Sequence, residues 1–129
     1  MNDQIRHYEN KLSYEIDSWD LKQALNANER IHVIDTRSPE AYQKEHIPGA
    51  INIPHRTMNK TTTKLLDPKA LVVTYCDGIG CNASTKGALN MVKLGFQVKE
   101  LMCGLDWWKR DLHHTEKGPS DNSPACGCQ

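Results

Sequence analysis

The stretch from Leu71 to Gly95 constrains this chain more than any other. Leu71-Val72-Val73-Thr74-Tyr75-Cys76 is an apolar, β-branched run of the kind a buried strand requires. It leads into Asp77-Gly78-Ile79-Gly80, where two glycines permit a tight turn. Residues 82–94 then follow a helical pattern that Gly95 closes. A thiol in that turn faces free backbone N–H groups at a helix N-terminus, a setting that stabilises a thiolate. Cys76 is therefore the candidate nucleophile.

The rest of the chain repeats the alternation. Residues 12–16 alternate apolar and polar and suggest an edge strand, and Ser18 is placed to cap a short helix over 19–26. Residues 31–35 form a second strand pattern. Ser38-Pro39-Glu40 opens a helix, with serine as cap and proline at its first position, that runs to about Glu45. Residues 50–53 and 97–101 add two strands, and Gly104-Leu105-Asp106-Trp107-Trp108 turns into a last helix. Adjacent tryptophans cannot share one helix face, so one belongs to the core and the other to the surface. Strands alternating with helices predict an α/β fold with a mainly parallel central sheet.

With 129 residues, one domain over 1–112 is expected, followed by a polar, flexible tail over 113–129. Sixteen basic residues balance sixteen acidic ones, which predicts neither a nucleic-acid surface nor a membrane partner. No apolar run reaches the about 18 residues of a membrane span. The N-terminus lacks the apolar core of a secretory signal, so a cytoplasmic location is expected. Five cysteines is an odd number, which argues against a closed disulfide framework.

Three segments carry a resemblance. They are Asp35-Thr36-Arg37-Ser38-Pro39-Glu40-Ala41-Tyr42 with His46-Ile47-Pro48-Gly49-Ala50-Ile51-Asn52-Ile53-Pro54; Tyr75-Cys76 with its glycine loop; and Gly104-Leu105-Asp106-Trp107-Trp108. Together, in this order, they resemble the rhodanese-like (sulfurtransferase) domain family over roughly residues 12–112. The resemblance implies a parallel sheet flanked by helices on both faces. It also implies an enzyme that moves a sulfane sulfur from a donor, thiosulfate or a persulfide, to a thiol or cyanide acceptor through a Cys76 persulfide. The partners implied are a small-molecule sulfur donor and a thiol acceptor, with a protein sulfur acceptor as a further candidate. Neither cofactor nor metal is called for. Asp35, Arg37 and His46 match family positions that support the scaffold.

The loop departs from the family pattern. Cys76 to Asn82 is enlarged and lacks the arginine that many relatives carry near its end, and Cys103 stands where glycine is usual. Only Lys86 lies close in sequence, so phosphate-ester hydrolysis is disfavoured. For the same reason a singly charged or neutral donor is expected ahead of a dianion. An unassisted thiol is only about 3% ionised at pH 7, and one helix terminus lowers its pKa by less than about one unit. Several amides from Asp77, Gly78, Ile79, Gly80, Cys81 and Asn82 must therefore contribute, and these residues form the expected substrate-binding loop. The Asp77 carboxylate opposes them, at roughly 2.8 kcal/mol from ~6 Å, and is expected to point outward.

Cys81 is either a buried helix-opening residue or a resolving thiol that attacks a Cys76 persulfide. That leaves an alternative function, a non-catalytic or redox-sensing module built on a Cys76/Cys81 thiol pair. Cys126 and Cys128 are either inert tail residues, sulfur acceptors or soft-metal ligands.

Overall fold

The computed structural model describes residues 2–119. Helix α1 (Asn2–Tyr14) leads into strand β1 (Glu15–Ile16), then α2 (Ser18–Asn26), β2 (Ile31–Asp35), α3 (Pro39–Lys44) and β3 (Ile51–Asn52). A 3-10 turn (His55–Thr57) follows, then β4 (Leu71–Tyr75), α4 (Ala83–Lys93), β5 (Gln97–Leu101) and α5 (Gly104–Arg110). The strands form one sheet in the order β1-β5-β4-β2-β3, every pair parallel. No helix among the described residues is long and apolar enough to cross a membrane.

The strand period of two sorts side chains onto two cores. Val33, Val73 and Tyr75 pack with Leu21 of α2, Tyr42 of α3 and Leu105 and Trp108 of α5. Their neighbours Ile34 and Val72 pack on the opposite face with Met91 of α4, Ile53 and Leu66. Trp108 is buried and Trp107 half-exposed, as their adjacency requires. β4 lies between β5 and β2, with helices above and below, so its C-terminal end opens at the centre of the sheet.

Three local expectations change. The strand expected over 12–16 survives only at Glu15–Ile16, because residues 12–14 complete α1. The alternation of Leu12 and Tyr14 is thus the end of a helix that buries no side chain. Asp17, not Ser18, caps α2, its carboxylate accepting from Asp20 N at 2.8 Å; Ser18 is buried. The segment after His113, expected to be flexible, is tied to the domain at its start. Glu116 pairs with His46 in an antiparallel bridge, and the Trp108 indole N–H donates to the His114 carbonyl at 2.8 Å. Cys126 and Cys128 lie outside the described residues.

Candidate active site

Cys76 follows the last residue of β4, buried beneath the loop that leads to α4. Two hydrogen bonds from α5 fix the loop's entry: Leu105 N donates to the Cys76 carbonyl at 2.9 Å and Asp106 N to the Asp77 carbonyl at 2.8 Å. Gly104 makes this approach possible. Its φ of +53° is left-handed, and an added Cβ would overlap the Cys76 carbonyl and sit 2.9 Å from Gly78 N.

Within the loop, Cys81 N donates to the Gly78 carbonyl at 3.2 Å and closes a turn whose tip, Ile79, is 88% exposed. The Cys81 amide is thereby used, so it is not one of the donors that was expected to serve the sulfur. The amides of Asp77, Gly78, Ile79, Gly80 and Asn82 have no acceptor among the described residues. Asn82 caps α4 without a side-chain hydrogen bond, leaving the first-turn amides of that helix open as well. Clustered open amides of this kind are able to accept an anion.

Cys76 and Cys81 are joined by a disulfide with Cα atoms 6.4 Å apart. An Asp77 oxygen lies within 4.8 Å of both sulfurs. Its charge is met by Arg37, whose Nη1 donates to Asp77 Oδ1 at 2.9 Å while the carboxylate stays 70% exposed. With both sulfurs in the disulfide, this trio lacks the thiolates that would hold a soft metal.

Arg37 is the hub of a buried network. It donates to both Asp35 oxygens, at 2.7–3.2 Å, and to the Glu45 carbonyl at 2.6 Å. Burial opposes its charge, but Asp35 and then Asp77 outweigh burial and raise its pKa. The Tyr75 hydroxyl donates to Asp35 Oδ2 at 2.6 Å and accepts from Ile47 N at 3.1 Å. Burial, then the Asp35 charge, push the Tyr75 phenol well above its ordinary pKa, so it remains a donor. Asp35 and Arg37 therefore do more than secure one strand end, because they carry the β2 scaffold to Asp77 in the loop. His46 sits apart, stacked on Tyr42 with ring centroids 3.7 Å apart. Its Nδ1 faces the Tyr42 carbonyl at 2.7 Å, which can only accept, so Nδ1 carries the proton.

Two cavities meet at the cysteines. One, of about 580 Å³, lies toward the 3-10 turn and is bordered by Arg37, His55 and Arg56. The other, of about 330 Å³, lies toward β5 and is bordered by Lys11, Glu15, Glu100 and the free Cys103. Glu100 accepts from Ser84 at 2.6 Å and Thr85 at 2.7 Å, pinning the start of α4. Sequence reasoning missed Arg56 and Glu100, which reach the site from separate elements. Cys103 takes φ +60°, a left-handed conformation that suits glycine. Replacing it with glycine should stabilise the domain by about 0.5–1 kcal/mol, the left-handed strain less the entropy glycine adds, in equilibrium urea unfolding.

Comparison with known proteins gives a consistent result. Residues 19–111 match the family described as the rhodanese-like domain. Thiosulfate sulfurtransferase PspE of Escherichia coli is 45% identical over 75 residues, covering 57% of this chain and 70% of its own. The HTH-type transcriptional regulator Rv0324 of Mycobacterium tuberculosis is 33% identical over 79 residues, covering 61% of this chain and 34% of its own. The chain spans less than half the length of two of the curated relatives it matches, at 46% and 34%. The crystal structure of the BH2092 protein from Bacillus halodurans superposes with a TM-score of 0.86 at 40% identity, covering 98% of this chain and 93% of that one.

Proposed function

Because the chain belongs to the rhodanese-like domain family, we propose that it is a sulfurtransferase working through a persulfide on Cys76. The observation that carries this reading is the position of Cys76, at the end of a central strand and on the floor of two cavities. Once a low-molecular-weight thiol has reduced the disulfide, the Cys76 thiolate attacks the outer sulfur of a sulfane donor. The donor's S–S bond breaks, and the leaving group takes the bonding electron pair. A thiol or cyanide acceptor, small or protein-borne, then attacks the outer sulfur and regenerates the thiolate. The open amides of the loop stabilise the sulfur anion at both stages. The similarity to a thiosulfate sulfurtransferase supports this class of chemistry.

Cys81 supplies an internal exit. Its thiolate attacks the inner sulfur of the Cys76 persulfide, forming the Cys76–Cys81 disulfide and expelling hydrosulfide, so that a persulfide and a thiol become a disulfide and hydrogen sulfide. Reopening that disulfide consumes a thiol reductant, which suits a reducing compartment such as the cytoplasm. Reduced protein treated with thiosulfate should gain the mass of one sulfur atom on Cys76. An absence of that gain with thiosulfate and with glutathione persulfide would end the sulfurtransferase reading. In Cys81→Ser the persulfide should persist for at least about tenfold longer without an acceptor, followed by mass spectrometry. An unchanged lifetime would remove Cys81 from the cycle.

The disulfide favours a second reading, in which the thiol pair senses oxidation. In that case oxidant would remove two hydrogens from Cys76 and Cys81, and donors would leave no added sulfur.

A further inference from the structure

The two cavities beside Cys76 differ in the charges that line them. Toward β5, Lys11 is already paired with Glu15 at 3.0 Å, and Glu100 adds a second carboxylate. Toward the 3-10 turn, Asp77 is the one carboxylate among the described lining residues, and Arg37, which is also paired with the buried Asp35, engages it. Arg56 on that side is exposed and has no carboxylate partner among the described residues. His55 lines the same cavity, and burial, then repulsion from Lys86 and Arg56, lowers its pKa.

We propose that Arg56 binds the oxyanion end of a thiosulfate-type donor in the cavity on the 3-10 turn side, with its sulfane sulfur toward Cys76. This rests on the sulfurtransferase reading above and names its donor class and side of entry. The arginine missing from the loop is thus supplied by a turn some twenty residues earlier in the chain. It departs from the expectation of a singly charged or neutral donor, and the experiment below decides between them. A guanidinium gives a sulfonate-like group two parallel charge-assisted bonds, which an ammonium cannot match. The acidic cavity repels the same donor, so entry is one-sided. In the step itself the Cys76 thiolate bonds to the outer sulfur, the donor's S–S bond breaks, and sulfite departs with the electron pair, leaving no net redox change.

The test is single-turnover sulfur loading of reduced full-length protein, read by mass, with thiosulfate and with cationic cysteamine persulfide. Arg56→Glu should slow loading from thiosulfate about tenfold or more, the scale of a lost charge-assisted contact, and leave cysteamine persulfide within about twofold. Arg56→Lys should fall between wild type and Arg56→Glu with thiosulfate. Equal slowing with both donors would assign Arg56 to the structure of the turn and overturn the proposal, as would an unchanged thiosulfate rate. Loading of wild type by cysteamine persulfide but not thiosulfate would overturn the donor assignment alone. No loading of wild type by either donor would overturn the sulfurtransferase reading with it.

Discussion

Asp35→Ala is expected to destabilise the domain by about 3–5 kcal/mol, the cost of leaving a buried charge without its partner. The Arg37 side chain is only 8% exposed, and Asp35 occupies three of its donor contacts. Removing the carboxylate also strips the Tyr75 hydroxyl of its acceptor and Arg37 N of a bond at 2.9 Å. A domain of this size has about 5–15 kcal/mol to lose. The urea midpoint should therefore fall by about 2 M, taking a slope near 2 kcal/mol per molar. Asp35→Asn keeps the shape and some of the bonds, and should fall between the two. A midpoint shift of the alanine variant below about 0.5 M would show that Asp77 and the Glu45 carbonyl suffice to hold the guanidinium.

Gly104→Ala is the second large effect. A non-glycine residue in the left-handed region costs about 1–2 kcal/mol. Overlap with the main chain at Cys76 and Gly78 adds about 1–3 kcal/mol. The obstacle is backbone, so no side-chain rotation relieves it. The loop must shift, which breaks the bonds from Leu105 N and Asp106 N. We expect a loss of about 2–5 kcal/mol together with slower alkylation of Cys76 in the reduced protein. Normal stability with normal alkylation would show that α5 does not set the loop's shape. Both variants should be compared with wild type in the same redox state, because the disulfide contributes to stability by itself.

The centre of the fold was legible because its signals are local. The β-branched run of β4, the glycine turn and the period of α4 lie within one continuous stretch, and they place Cys76 at the strand end where the structure has it. Ser38 and Pro39 announce α3 in the same way, and the Ser38 hydroxyl accepts from Ala41 N at 3.2 Å. What was not legible depends on distance along the chain. Arg37 and Asp77 lie 40 residues apart, and only the parallel pairing of β2 with β4 brings them together. Arg56 comes to border the same cavity as the cysteines for the same kind of reason. Helix α1 failed differently. Ile5, Tyr8 and Leu12 do recur at helical spacing, but all three remain exposed, and the short alternation at its end reads equally as strand.

The two outermost strands, β1 and β3, have two residues each. A foreign chain seeking to extend the sheet would find almost no hydrogen-bonding ladder to copy on either side. The longer strands β5, β4 and β2 are enclosed between them. Borders this short disfavour edge-to-edge pairing of one sheet with another.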